Sequence, residues 1–156
     1  MENKNNFDIK TIIDKLKKYC ALSDKCKWDI KQKMISWSLS KASQDYILAQ
    51  LTKEKYIDEE RFSKSFCRGK FKIKKWGKIK ITNELKKKNI SEKCILNGLK
   101  EISEKEYTKE FDKQYYKKYS STKEKNYHVK RKKIAAYLIS KGYENNLVWN
   151  KIRELS

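Results

Sequence analysis

Apolar residues recur along this chain in a pattern that is written three times. From Ile30 they follow at Met34, Leu39, Leu48 and Leu51; from Ile81 at Leu85, Ile90, Leu99 and Ile102; from Ile134 at Leu138, Tyr143, Ile152 and Leu155. The offsets 4, 9, 18 and 21 are shared, and the origins lie 51 and 53 residues apart. Offsets 0 and 4 put two apolar residues on one helical stripe, offset 9 falls just past that helix, and offsets 18 and 21 form the stripe of the next. The period exceeds the about 34–47 residues of the common helical repeats, which leaves room for three helices per unit.

The third helix of each unit lies upstream of the pair. Ile12, Ile13, Leu16 and Tyr19 serve the first unit, Phe62, Phe66 and Cys67 the second, and Phe111, Tyr115 and Tyr119 the third. Capping residues punctuate the pattern: Ser43, Asp58, Ser91 and Asn145 can each accept a first-turn backbone N–H. Gly142 is placed for a left-handed helix stop, Asn89 holds the equivalent position, and Ser38 fits it less well. The expectation is an all-α fold of nine helices, near 8–19, 25–38, 43–54, 58–71, 77–88, 91–102, 104–119, 124–141 and 145–155. They group as three tandem three-helix repeats, 8–54, 58–102 and 104–155, in an elongated, curved array. One stretch competes with this reading. Between Gly69 and Ile81 lysine alternates with Phe71, Ile73, Ile79 and Ile81, which is strand periodicity, but the repeat register assigns Ile81 to a helix in every copy.

Composition agrees with helices. The 156 residues include no proline and four glycines, so little interrupts a helical backbone. Hydrophobic residues make up 38% and aromatics 12%, enough to build a core although charged residues also reach 38%. The polar start of the chain has no apolar segment of the signal-peptide kind, and no apolar run reaches the roughly 20 residues of a membrane span. A cytoplasmic monomer with no membrane contact is expected. Cys20, Cys26, Cys67 and Cys94 form no CxxC pair and His128 is the single histidine, so no zinc spacing exists. Free thiols, buried or half-buried, are the reading, with a Cys20–Cys26 bridge as the lesser alternative.

Charge changes the picture more. Forty basic against 20 acidic residues give a net +20. Residues 64–88 carry eleven bases and one acid (Glu84), and residues 117–133 eight bases and one acid (Glu124). These 42 residues hold +17, leaving about +3 for the other 114. An A/T-rich coding bias toward lysine would spread the excess; this distribution points to a polyanionic partner.

Candidate chemistry is sparse. The Asp58-Glu59-Glu60 run could suggest acid–base work, but a cap and acids complementing a helix start explain it better. Arg61 could take a partner carboxylate or pair with a neighbouring repeat. Trp28, Trp37, Trp76 and Trp149 suit packing between helices; Trp76, set among Lys74, Lys75 and Lys78, is the one placed to stack on a base. No Gly-rich phosphate loop, Ser/His/Asp set or carboxylate cluster is present, so neither an enzyme nor a cofactor is expected. The expected binding residues are Arg61, Arg68, Lys70, Lys72, Lys74, Lys75, Trp76 and Lys78 in the first basic stretch, and Lys130, Arg131, Lys132 and Lys133 in the second. If the units stack, the two stretches come from equivalent parts of neighbours and line one surface.

Three segments resemble the RecX family of recombination regulators: Tyr56 to Phe62 followed by Phe66; Lys78, Ile81, Glu84, Leu85 and Lys88-Asn89-Ile90; and Lys133-Ile134, Tyr137-Leu138 and Lys141-Gly142-Tyr143. Cys26, Ile30, Met34 and Trp37, with Lys75-Trp76-Gly77, are similar to its Bacteroidetes-type version. The resemblance covers about residues 12–155 and departs at Asn89, where glycine is usual, and in the scarcity of arginine, whose bidentate contacts lysine cannot reproduce. It implies three three-helix repeats, binding to the RecA recombinase filament on single- or double-stranded DNA, inhibition of recombinase and ATPase activity, and no catalysis. Two other classes stay open: a plain nucleic-acid-binding protein with no recombinase partner, whose affinity for bare DNA would fall steeply with salt, and a helical scaffold whose charge only keeps it soluble.

Overall fold

The computed structural model describes residues 3–154, so Leu155 of the apolar pattern lies outside the described residues. Among these residues there are nine helices and no strand: α1 (Asn3–Leu22), α2 (Lys27–Ser36), α3 (Lys41–Lys53), α4 (Glu59–Lys72), α5 (Lys78–Lys87), α6 (Glu92–Leu99), α7 (Glu104–Ser121), α8 (Tyr127–Ser140) and α9 (Asn145–Glu154). The Gly69–Ile81 alternation is divided between two helices and their connection. Phe71 ends α4 facing the core and Ile81 is fully buried in α5, while Ile73 and Ile79 face solvent.

The repeated apolar positions lie in the core. Ile30, Met34, Leu48, Leu51, Ile81, Leu85, Ile90, Ile102, Ile134, Leu138, Tyr143 and Ile152 are buried, and Leu39 and Leu99 are half-buried. They divide between two clusters. Leu16, Ile30, Met34, Ile47, Leu48, Leu51 and Ile57 form one within α1–α3 and the connection that follows. The other runs without a break across α4–α9 and also takes in Cys26 at the start of α2. Its most extensive helix contact is α4 on α6, where Gly98 lies beneath Ser63 and Cys67 and the Ser63 hydroxyl donates to the Cys94 carbonyl at 2.7 Å.

The middle helix of each unit, α2, α5 or α8, ends in the same way. Ser38, Asn89 and Gly142, each eight residues after the repeat origin, have φ of 57°, 58° and 99°. The next residue then donates its N–H back to the last turn of the helix: Leu39 to Met34 O at 3.3 Å, Ile90 to Leu85 O at 3.1 Å and Tyr143 to Leu138 O at 3.1 Å. This is the Schellman closure, and it turns an apolar residue into the core at offset 9. The following helix opens at offset 10. Ser40 and Ser91 accept from Ser43 N and Cys94 N, and the Glu144 carbonyl takes the first helical bond, from Val148 N. The capping roles expected of Ser43 and Asn145 are therefore corrected. Both sit inside their helices, because the left-handed residue and its apolar successor use up fewer residues than the sequence pattern allowed. Asp58 caps α4 as expected, accepting from Glu60 N and Arg61 N.

Ser38 holds a backbone conformation that costs a residue with a Cβ about 1–2 kcal/mol. Ser38→Gly should therefore stabilise the chain by about 0.5–1 kcal/mol and Ser38→Val destabilise it by at least that much. Urea melts of the two variants check this, and the same sign for both would count against the strain.

Other expectations need adjusting. Tyr119 is exposed near the C-terminal end of α7, covered by Lys130 of α8 and not by an apolar neighbour, and Trp37 is exposed at the C-terminal end of α2; Trp28, Trp76 and Trp149 pack half-buried on the larger core. All four cysteines are free, so no Cys20–Cys26 bridge forms. Burial pushes the Cys26 thiol up to about 12 and the Cys67 thiol up to about 11. Both thiols stay protonated and unreactive near neutral pH. Among the described residues no helix is long and apolar enough to cross a membrane, and no group of side chains could hold a metal ion.

Candidate nucleic-acid interface

The start of α5 and the end of α8 meet backbone to backbone. Gly77 N donates to Lys141 O at 2.8 Å and Ile79 N to Gly142 O at 2.9 Å. Only glycine allows so close an approach: a Cβ on Gly77 would lie 2.3 Å from the carbonyl of Gly142 and from Tyr143 N. Tyrosines brace the joint from within. Tyr143 Oη donates to Lys75 O at 3.1 Å, while Tyr107 Oη accepts from Lys78 N at 3.0 Å and donates to Glu144 Oε1 at 2.5 Å. Burial raises the pKa of both phenols, so they serve as neutral hydrogen-bonding groups.

This joint gathers lysines. The Lys141 ammonium donates to the Lys74 carbonyl at 3.1 Å and lies within electrostatic range of Lys117, Lys80 and Lys75. Burial, followed by repulsion from Lys117 and Lys80, holds Lys141 below the ordinary lysine value; Glu110 opposes and Lys75 adds to the shift. Glu110 is the buried counter-charge: it stands 3.9 Å from Lys75 Nζ, accepts from Gln114 Nε2 at 2.9 Å, and Gln114 in turn accepts from Tyr137 Oη at 2.9 Å. Lys80 lies over the Trp76 ring. Glu110 is the one carboxylate ion-paired to any of Lys75, Lys80, Lys117 and Lys141 among the described residues, and it does not neutralise all four. The seam is left with an excess of positive charge in which an anion would relieve mutual repulsion.

The expected binding residues divide. Arg61 is engaged inside the molecule: Nε donates to Asp24 Oδ1 at 2.8 Å, and its terminal nitrogens reach the Lys55 and Tyr56 carbonyls at 3.3 Å. It ties α4 to the end of α1, much as Lys88 ties α5 to α2 through Asp29 Oδ1 at 2.6 Å. Arg68 is paired with Glu101 at 3.4 Å and Lys78 with Glu104 at 2.6 Å. Lys70 lies over Phe66 and Trp76, and Lys72 and Lys74 are exposed. Of the expected residues in the first stretch, Lys75 and Trp76 lie at the seam with their side chains, and Lys74 and Lys78 touch it through their backbones.

The second stretch radiates around the start of α8: Lys130 over Tyr119, Arg131 over Tyr127, Lys133 paired with Glu124 at 3.2 Å, and Lys132 exposed. Its contribution to the seam comes from α7 as Lys117, which with Lys80 and Lys141 was not among the expected residues. Lys80 and Lys117 stood inside the two charged windows and could have been found there; Lys141 stood outside both.

Comparison with known proteins gives this architecture its relatives. Residues 58–99 match the family model for the second three-helix domain of RecX and residues 106–152 that for the third. The chain is 28% identical over 114 residues to the regulatory protein RecX of Leuconostoc mesenteroides, an alignment covering 73% of this chain and 43% of that protein. It thus spans less than half the length of this curated relative. Its fold is similar to a crystal structure of regulatory protein RecX, with a TM-score of 0.83 and 18% identity over 94% of this chain and 73% of the other. It is also similar to RecX from Lactobacillus salivarius, with a TM-score of 0.79 and 19% identity over 96% and 97% of the two chains. Neither named organism supports the Bacteroidetes-type lineage. With family models covering more than half its length, this chain belongs to the RecX family.

Proposed function

We propose that this chain binds the RecA recombinase filament assembled on DNA and lowers its recombinase and ATPase activity, using protein contacts and DNA-phosphate contacts together. The observation that carries the DNA half is the grouping of four lysines at one seam, Lys75 and Lys80 from the first basic stretch, Lys117 as the one contribution of the second, and Lys141, whose ammonium is bonded to the Lys74 carbonyl. Membership in a family of regulators supports the recombinase half. In this reading the units 8–54, 58–102 and 104–155 act as one cytoplasmic monomer laid along a filament, and the protein itself carries out no chemistry.

Titrating the protein into a DNA-dependent ATPase assay of the same organism's recombinase tests the reading. Inhibition well below one protein per recombinase, unrelieved by added bare DNA, is the expected result. Inhibition that needs DNA-saturating amounts and is relieved by extra DNA would mean competition for nucleic acid alone. The excess charge of the seam makes that second reading, a nucleic-acid-binding protein without a recombinase partner, the one to beat.

A further inference from the structure

The end of α7 and the start of α8 carry a surface unlike the lysine seam. Tyr116, Tyr119 and Tyr127 are each about half exposed, a high fraction for large aromatic side chains. They are grouped around the buried Tyr115. Its ring meets Tyr116 edge-on with centroids 5.3 Å apart and lies stacked with Tyr119 at 6.1 Å, and its phenol is within electrostatic range of Tyr127. Cations are interleaved with the rings: Lys130 Nζ stands 3.9 Å from the Tyr119 centroid, the Arg131 guanidinium 5.2 Å from that of Tyr127, and Lys151 Nζ 5.4 Å from that of Tyr116. Exposed His128 meets Tyr127 edge-on at 5.6 Å.

The acids nearby are already engaged. Asp112 holds Lys151 at 3.1 Å, and Glu124 holds Lys133 at 3.2 Å while accepting from Asn126 N. Lys130 and Arg131 have no carboxylate partner among the described residues and are held by rings instead. Half-exposed aromatic rings interleaved with cations that have no carboxylate partner are the two components that bind unpaired nucleotides: a base takes the ring face that the cation covers in the free protein, and the displaced cation takes the phosphate. Duplex DNA conceals its base faces and would engage only the cations. The carboxylates of an acidic protein segment would likewise engage only the cations.

We propose that the Tyr119–Tyr127–Lys130–Arg131 patch is a base-stacking site for single-stranded nucleic acid. The site rests on the nucleic-acid half of the function proposed above and adds a preference for strands whose bases are unstacked. It shares α7 and α8 with the lysine seam but uses none of the seam's side chains, so the two can be disabled by separate substitutions.

The test is the affinity of the full chain for a labelled single strand of about 16 nucleotides, for an abasic strand of the same length and charge, and for the corresponding duplex. The intact strand should bind tightest. The double substitution Tyr119→Leu/Tyr127→Leu should weaken intact-strand binding about five- to hundredfold, to the abasic level, and leave abasic binding unchanged. Tyr127→Phe keeps the ring and should bind like the unsubstituted chain. Equal binding of intact and abasic strands would overturn the stacking site, as would a double variant that loses affinity for both equally. Displacement of the intact strand by polyglutamate as readily as by the abasic strand would make the patch a charge surface for protein and overturn it too. Failure on these counts with recombinase inhibition intact would leave the function proposed above standing; failure to bind any strand would remove both.

Discussion

Gly77→Ala is expected to destabilise the chain by about 3 kcal/mol or more, lowering the midpoint of thermal unfolding by about 10 °C. The reason is backbone against backbone. A Cβ at Gly77 would stand 2.3 Å from the carbon and oxygen of Gly142 and from Tyr143 N, and none of these atoms can turn aside as a flexible side-chain end would. Accommodating it means separating α5 from α8, which breaks the Gly77–Lys141 and Ile79–Gly142 hydrogen bonds and withdraws Tyr143 from between Tyr107 and Phe111. Gly142→Ala should cost at least as much, since its Cβ would meet Lys80 Cβ at 2.3 Å and its φ of +99° suits no L side chain. Gly69 supplies the control. Nothing lies within 4 Å of its would-be Cβ and it sits inside α4. Gly69→Ala should therefore stabilise by up to about 1 kcal/mol through helix propensity alone. If calorimetry found Gly77→Ala as well tolerated as Gly69→Ala, the close approach of α5 and α8 would be wrong.

The same close approach marks where reading the sequence stops. Helix number, helix order and about half of the core followed from one apolar pattern because burial is periodic and local. The capping register was equally local and still came out wrong twice. Ser40 and Glu144 sit at the same offset as Ser91, and aligning the three copies on their left-handed residues, Ser38, Asn89 and Gly142, would have placed all three caps. Tyr119 was misassigned because a helical stripe continues to the end of its helix whether or not a neighbour covers it. The seam was legible only in part. Charge windows find lysines close in sequence, whereas Lys141 joins Lys75, Lys80 and Lys117 through a glycine–glycine approach spanning 65 positions. Arg61 shows the converse. Its charge suggested a partner, but its geometry is satisfied by Asp24 and two carbonyls of its own chain.

Reversing charge at the seam should separate placed charge from total charge. Lys80→Glu combined with Lys117→Glu removes two cations from around Lys141. Lys10→Glu combined with Lys41→Glu changes the net charge by the same amount at exposed positions on α1 and at the start of α3. If phosphates bind at the seam, the first pair should weaken bare-DNA binding about tenfold or more at moderate salt. It should also reduce the slope of log affinity against log salt by about 0.7–0.9 for each phosphate no longer neutralised, because fewer counterions are released. The control pair should shift affinity only slightly, its charges being screened over about 8–10 Å. The folded state should tolerate the seam pair: Lys80 and Lys117 are ion-paired to no acid among the described residues, and their removal relieves repulsion on Lys141. A seam variant of undiminished thermal stability and reduced salt slope would locate the phosphate-binding surface. Equal losses in both pairs would mean that the chain attracts DNA by its +20 alone, with no preferred surface. In that event the grouping of Lys75, Lys80, Lys117 and Lys141 would owe more to the packing of α5 against α8 than to a ligand.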